Sequence, residues 1–168
     1  MAASTDVVKH LYDGTVTLAD GTGTPVTLDV QWSQGDTGIS GLAAVQRDVI
    51  AYQTRGTLHS VRYGARNFPT VTFSFMFGSF TDATDSAPLD FLMFTNKYSA
   101  NISTINSPGE VHGLKITLTV EGTDLGDASD HTIVLDDVHC TFDISEGEPN
   151  TCTVNGTVYG SVTRTGPS

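Results

Sequence analysis

The clearest alternation in the chain lies at Val71, Phe73, Phe75 and Phe77, with Thr72, Ser74, Met76 and Gly78 between them. Side chains recurring every second residue stand on one face of a strand, so this stretch predicts a half-buried β-strand with an aromatic face on a core. The period then changes. After the acidic turn Thr81 to Asp85, Leu89, Leu92 and Met93 fall at i, i+3 and i+4, the spacing of one helical face. Asp85 or Ser86 suits the cap, Pro88 the first turn, and Lys97 the end where the helix dipole favours a cation. A short helix over Pro88 to Asn96, packed on that strand, is the expectation.

Upstream, Thr15 to Leu18 and Val26 to Trp32 are β-rich and flank Ala19 to Pro25, whose Asp20-Gly21 and Gly23 favour a reversal, so they predict a hairpin. Its second arm alternates Val26, Leu28, Val30 and Trp32 with Thr27, Asp29 and Gln31. A second hairpin is expected from Val49 to Gln53 and Leu58 to Tyr63 around Thr54-Arg55-Gly56. Between them Ser33 to Gln46, with Gly35, Gly38 and Gly41, reads as a loop holding at most a partial turn of helix or strand. Met1 to Tyr12 keeps no period and reads as an N-terminal arm; Asn101 to Gly109 is a polar loop.

The last third predicts three long strands joined as an antiparallel meander. Leu114, Ile116, Leu118 and Val120 alternate with polar residues; Val138, Cys140, Phe142 and Ile144 do so in the next strand; Cys152, Val154, Val158 and Val162 continue the rhythm in the last. In the middle strand Ile133 and Leu135 keep one parity, and Asp136-Asp137 shifts the apolar residues to the other. A β-bulge there is the economical explanation.

The chain has 168 residues, enough for a single domain over 1–168, and is 38% hydrophobic and only 16% charged. A formal charge of −11, with eight Lys and Arg against nineteen Asp and Glu, argues against a surface that grips nucleic acid. It suits a surface past which DNA moves without sticking. No apolar run is long enough to span a bilayer, so no membrane partner is expected, and Met1 to Tyr12 lacks the pattern of a secretory signal. Asn101-Ile102-Ser103 and Asn155-Gly156-Thr157 match glycosylation acceptors only by chance on that reading.

Candidate chemistry is sparse. Asp124, Asp127 and Asp130 beside His131 lack the ligand spacing of a calcium loop and read as a solvated acidic turn. Alternation sends His139 and Cys140 to opposite faces of a strand, which removes Asp136, Asp137, His139 and Cys140 as a shared metal site. Cys140 and Cys152 read as reduced thiols, with a bridge between neighbouring strands left open. No nucleophile elbow or phosphate loop is present, so neither catalysis nor a cofactor is expected. Arg47, Arg55, Arg62 and Arg66 place four of the eight basic residues in the second hairpin region. A phosphate site is the sharper reading of that cluster; arms that pair with carboxylates on a neighbouring subunit fit the acidic charge better.

The order of hairpins, loop, mid-chain helix Pro88 to Asn96, and closing meander with Leu135-Asp136-Asp137-Val138 and Glu146 to Pro149 resembles the major tail tube proteins of long-tailed bacteriophages, over about Gly14 to Val162. Related tubes of bacterial injection machines share that architecture. The resemblance implies a mainly β fold, an antiparallel β-sandwich or barrel flanked by one short α-helix. It also implies hexameric rings stacked into a tube in the virion tail, assembled in the host cytoplasm. Partners would be further copies, tail proteins such as the tape measure and tail terminator, and DNA passing the lumen unbound. On that reading the loop 33–46 is an assembly element covered by another ring through Ile39, Leu42 and Val45, and Arg47, Arg55 and Arg62 face a neighbouring subunit. The rival readings are a capsid decoration or other virion surface protein, and a carbohydrate-binding sandwich using Trp32, Tyr98 and Tyr159.

Overall fold

The computed structural model describes residues 14–19, 27–30, 37–76, 92–93, 113–123, 126–147 and 150–166. Strands dominate them: β1 (Gly14–Ala19), β2 (Thr27–Val30), β3 (Gly38–Ser40), β4 (Arg47–Thr54), β5 (Thr57–Arg66), β6 (Thr70–Met76), β7 (Leu114–Val120), β8 (His131–Ser145), β9 (Thr151–Val158) and β10 (Val162–Thr165). All but β4 and β5 share one antiparallel sheet, ordered β2-β1-β7-β8-β9-β6-β3 with β10 also on β8, and it curls into a half-barrel. The fold is therefore mainly β, as the alternation requires. Of the expected helix only Leu92 and Met93 are among the described residues; both are helical, and Leu92 is buried in the core. Phe77, the arm 1–12, Trp32, Tyr98 and the loop 101–109 lie outside the described residues.

Alternating side chains build the core. Val16 and Leu18 of β1, Phe73 and Phe75 of β6, Ile116 and Leu118 of β7, and Val154 and Val158 of β9 are all wholly buried. Each such side chain contributes roughly 1.5–3 kcal/mol of apolar burial. The opposite face is polar: Thr72 Oγ1 donates to Asn155 Oδ1 at 3.2 Å, and the hydroxyls of Ser74 and Thr153 lie 3.1 Å apart. That division of faces leaves the hydroxyls of Thr72, Ser74 and Thr153 with partners on the polar side of the sheet.

Strand β8 is the spine, and it bends where the parity of its apolar residues changes. Leu114 pairs with Val138 and Ile116 with Leu135, so two steps along β7 oppose three along β8, and Asp137 takes a φ of 51°. This is the bulge expected at Asp136-Asp137, and it lets both Leu135 and Val138 reach the core. The backbone passes closely on both sides: a Cβ on Gly113 would lie 2.7 Å from Asp137 Cα, and one on Gly160 2.5 Å from the Asp136 carbonyl oxygen. The same bulge interrupts the final strand. It stops at Val158 and resumes at Val162 as β10, contrary to the unbroken run expected, because Tyr159 to Ser161 detour around the extra residue. The Tyr159 amide donates to the Asp137 carbonyl at 3.0 Å and the Asp136 amide to the Ser161 carbonyl at 2.9 Å, so the detour leaves those groups satisfied.

Candidate assembly surface

The second hairpin forms as expected, and among the described residues neither of its strands joins the main sheet. β4 and β5 make a two-stranded sheet of their own, with every residue of β4 and all of β5 except Ser60 and Gly64 exposed. Its turn is tight because Arg55 (φ 50°) and Gly56 (φ 83°) both take the left-handed region, the geometry that matches the twist of a two-residue hairpin. Pairing of Val49 with Tyr63 and of Ala51 with Val61 puts four apolar side chains on one face; Ile50 pairs with Arg62 and Tyr52 with Ser60 on the other. Val49, Leu58, Val61 and Tyr63 are each more than half exposed. A two-stranded ribbon in water is marginal at best, so this much apolar surface needs a cover.

The base of the ribbon is fixed. Asn67 donates through its amide to the Gln46 carbonyl at 3.1 Å and through Nδ2 to Asp48 Oδ1 at 2.6 Å. Arg66 Nη2 donates to the carbonyls of Tyr159 and Gly160 at 2.9 and 3.1 Å, and its guanidinium lies 5.1 Å from the centroid of Phe68, which packs on Tyr159. The ribbon is thus a clamped arm, held to the body beside the β8 bulge.

The residues expected to meet a neighbouring subunit separate into two groups. Ile39 lies on β3, opposite Val71 of β6, and packs against the chain's own core. Leu42 and Val45 are exposed on the segment that leads into β4, past the left-handed turn at Gly41. Arg47, Arg55 and Arg62 are exposed on the arm and form no ion pair among the described residues, whereas Arg66 is spent on the clamp. The exposed aliphatic and aromatic residues of the arm itself were not singled out from the sequence, although a signal existed: Val49-Ile50-Ala51-Tyr52 is apolar at both parities, which no one-sided strand requires.

The fold is shared with chains of contractile injection systems. A chain from the sheath/tube terminator of the PVC extracellular contractile injection system in its extended state superposes with a TM-score of 0.59 at 13% identity, covering 96% of this chain and 99% of that one. A chain from the PVC sheath-tube complex in the extended state gives 0.55 at 13% identity over 98% and 99%. A chain of the six-fold symmetrised baseplate of the anti-feeding prophage gives 0.50 at 12% identity over 98% of both. At the level of sequence, neither a protein-family model nor a curated protein matches.

The remaining polar clusters are structural. Asp130 Oδ1 accepts the amides of Gly122 and Thr123 at 3.1 and 3.2 Å, and these bonds hold its carboxyl below the ordinary value of 3.8. Asp127 Oδ2 lies 2.7 Å from His131 Nε2. The acidic turn is therefore an internally bonded loop closure rather than simply solvated, with Asp124 outside the described residues. No group of three or more metal-ligating side chains exists among the described residues. Cys140 pairs in register with Gly156 and Cys152 with Ile144, four residues further along, so the two sulfurs are too far apart to bridge. Burial pushes the Cys140 thiol up to about 12, and burial together with Asp143 pushes Cys152 up to about 11, which keeps both thiols protonated.

Proposed function

We propose that this chain is a structural subunit of a tail tube, self-associating into stacked six-fold rings whose channel passes DNA. The observation that carries the reading is the clamped, solvent-exposed apolar arm β4–β5, which has no cover among the described residues and would gain one from another subunit. The likeness of fold to chains from injection-system particles supports it. So does the net charge of −11, which lowers adhesion of a phosphate backbone moving through a lumen. Tape measure and tail terminator are the expected further partners, and the particle is a virion tail put together in the host cytoplasm. No catalytic step enters this role.

Negative-stain microscopy and sedimentation of the purified chain test it together. Rings or tubes are the expected outcome. A chain that stays monomeric at high concentration, also when tail-initiation components are added, overturns the reading; compact trimers move the protein to the capsid-decoration class.

A further inference from the structure

The charges of this chain are segregated. Residues 47–66 carry four Arg and one Asp, a net of +3, which leaves −14 on the rest of a chain whose total is −11. Bodies so acidic repel one another, and the arm carries the opposite sign more strongly than β7 or β10, each of which has a single cation. Its surface combines arginine with exposed Val, Leu and Tyr, so a complementary partner offers carboxylates beside exposed apolar groups.

The body holds such a place at the β8 bulge. A cleft of about 330 Å³ is lined by Gly113, Leu114, Lys115, Asp136, Asp137 and Ser161. Two carboxylates there outweigh one ammonium: Lys115 Nζ lies 3.8 Å from Asp136 Oδ1, Asp136 Oδ2 accepts from Ser161 Oγ at 2.7 Å, and Asp137 is exposed. Next along the chain, Tyr159 and Phe68 are exposed and packed on each other at 4.9 Å between ring centroids.

An arm cannot reach the cleft of its own chain with its tip. Its base is clamped by Arg66 to the carbonyl of Gly160, itself in contact with Asp136, while the eight residues of β4 carry Arg55 about 25 Å away. Tip and cleft are thus at opposite ends of a stiff ribbon. We propose that the arm of one copy docks on the acidic body of a second copy, with Arg55 seated in the cleft at the Asp136–Asp137 bulge. The contact is head-to-tail, since each copy presents one arm and one cleft, and repeating it closes a ring or extends a row. This rests on the self-association proposed above and names its surfaces. A polyanion would also attract the arginines, but the acidic remainder of the chain opposes it, so a second copy is the better partner.

The full-length chain tests this. Sedimentation at low ionic strength should show self-association that added salt weakens and that Arg55→Glu weakens about tenfold or more. As a second measurement, Thr57→Cys proteins, which keep Arg55 at the same hairpin tip, and Lys115→Cys proteins, each checked for native circular dichroism, are mixed and oxidised; both substituted positions are exposed, and the native thiols are held protonated. A disulfide-linked heterodimer is expected. If the wild type associates but Arg55→Glu associates equally well, or Thr57→Cys fails to link to Lys115→Cys, the docking site is wrong while the self-associating role stands. A wild type that stays monomeric overturns both, and one that stays monomeric yet binds a short DNA duplex through Arg55 makes a polyanion the partner.

Discussion

The two hairpins of this chain share a sequence signature and have opposite fates. β1–β2 lies inside the main sheet because the far edge of β1 pairs with β7, from Gly14 opposite Val120 to Ala19 opposite Lys115, and Val16 and Leu18 are wholly buried. Among the described residues β4–β5 pairs only with itself, and its largest apolar residues face solvent. Alternation tells that two strands pair; what the pair then leans on depends on whether its apolar residues keep to one parity. Val16 and Leu18 alternate with Thr15 and Thr17, so one face commits to a core, whereas Val49 to Tyr52 commits to neither. A hairpin without a committed face is left for another surface to cover.

The sharpest way to break this comparison is to truncate one apolar side chain in each hairpin. Leu18→Ala should lower unfolding free energy by about 2–5 kcal/mol in a denaturant titration, because the cavity lies in a packed core. Leu58→Ala should change the monomer by about 0.5 kcal/mol or less while weakening self-association. Equal losses of monomer stability would mean that the arm packs on its own body. Excising residues 48–65 and joining Arg47 to Arg66 through a short turn should keep the β signature in circular dichroism and abolish rings, since Arg47 and Arg66 already pair across the base. The same excision inside β1–β2 should unfold the chain.

Smaller effects sharpen the contrast. Arg66→Ala removes two bonds to carbonyls at an exposed clamp, a loss of about 1 kcal/mol, and should speed amide exchange in β4–β5 without touching β1–β2. The smallest is acid-dependent. Asp130 is depressed in the folded chain, so its contribution is present above the unfolded value of 3.8 and is lost as pH falls through the lower folded value. Exchange protection should then fail first at the turn between β7 and β8, which follows the Val120 partner of Gly14, while the arm is unaffected; Asp130→Asn should remove that acid step.

The sequence carried the strands, both hairpins, the meander and even the bulge, because each depends on parity over neighbouring residues. It misled where parity had to be combined with distant pairing. Ile39, Leu42 and Val45 are spaced by three in a glycine-rich loop and read as one apolar set, but β3 pairs with β6 and packs Ile39, half-buried, against the core. Replacing Ile39 by Asp would therefore damage the subunit itself, and Leu42 and Val45 are the pair to change when assembly is the question. The arm's role was half legible: its arginines stood out, yet the apolar residues between them looked like ordinary strand filling.

The bulge in β8 behaves like punctuation in a reading frame. Deleting Asp137 should turn Val138, Cys140 and Phe142 outward together, and the damage should be undone by inserting one residue that accepts a left-handed backbone between Leu135 and Val138. An insertion placed after Phe142 should not rescue, because the residues between would still point the wrong way. Length, not identity, is what the folded chain requires of this stretch, apart from the left-handed position now held by Asp137, where glycine is the substitute of least strain.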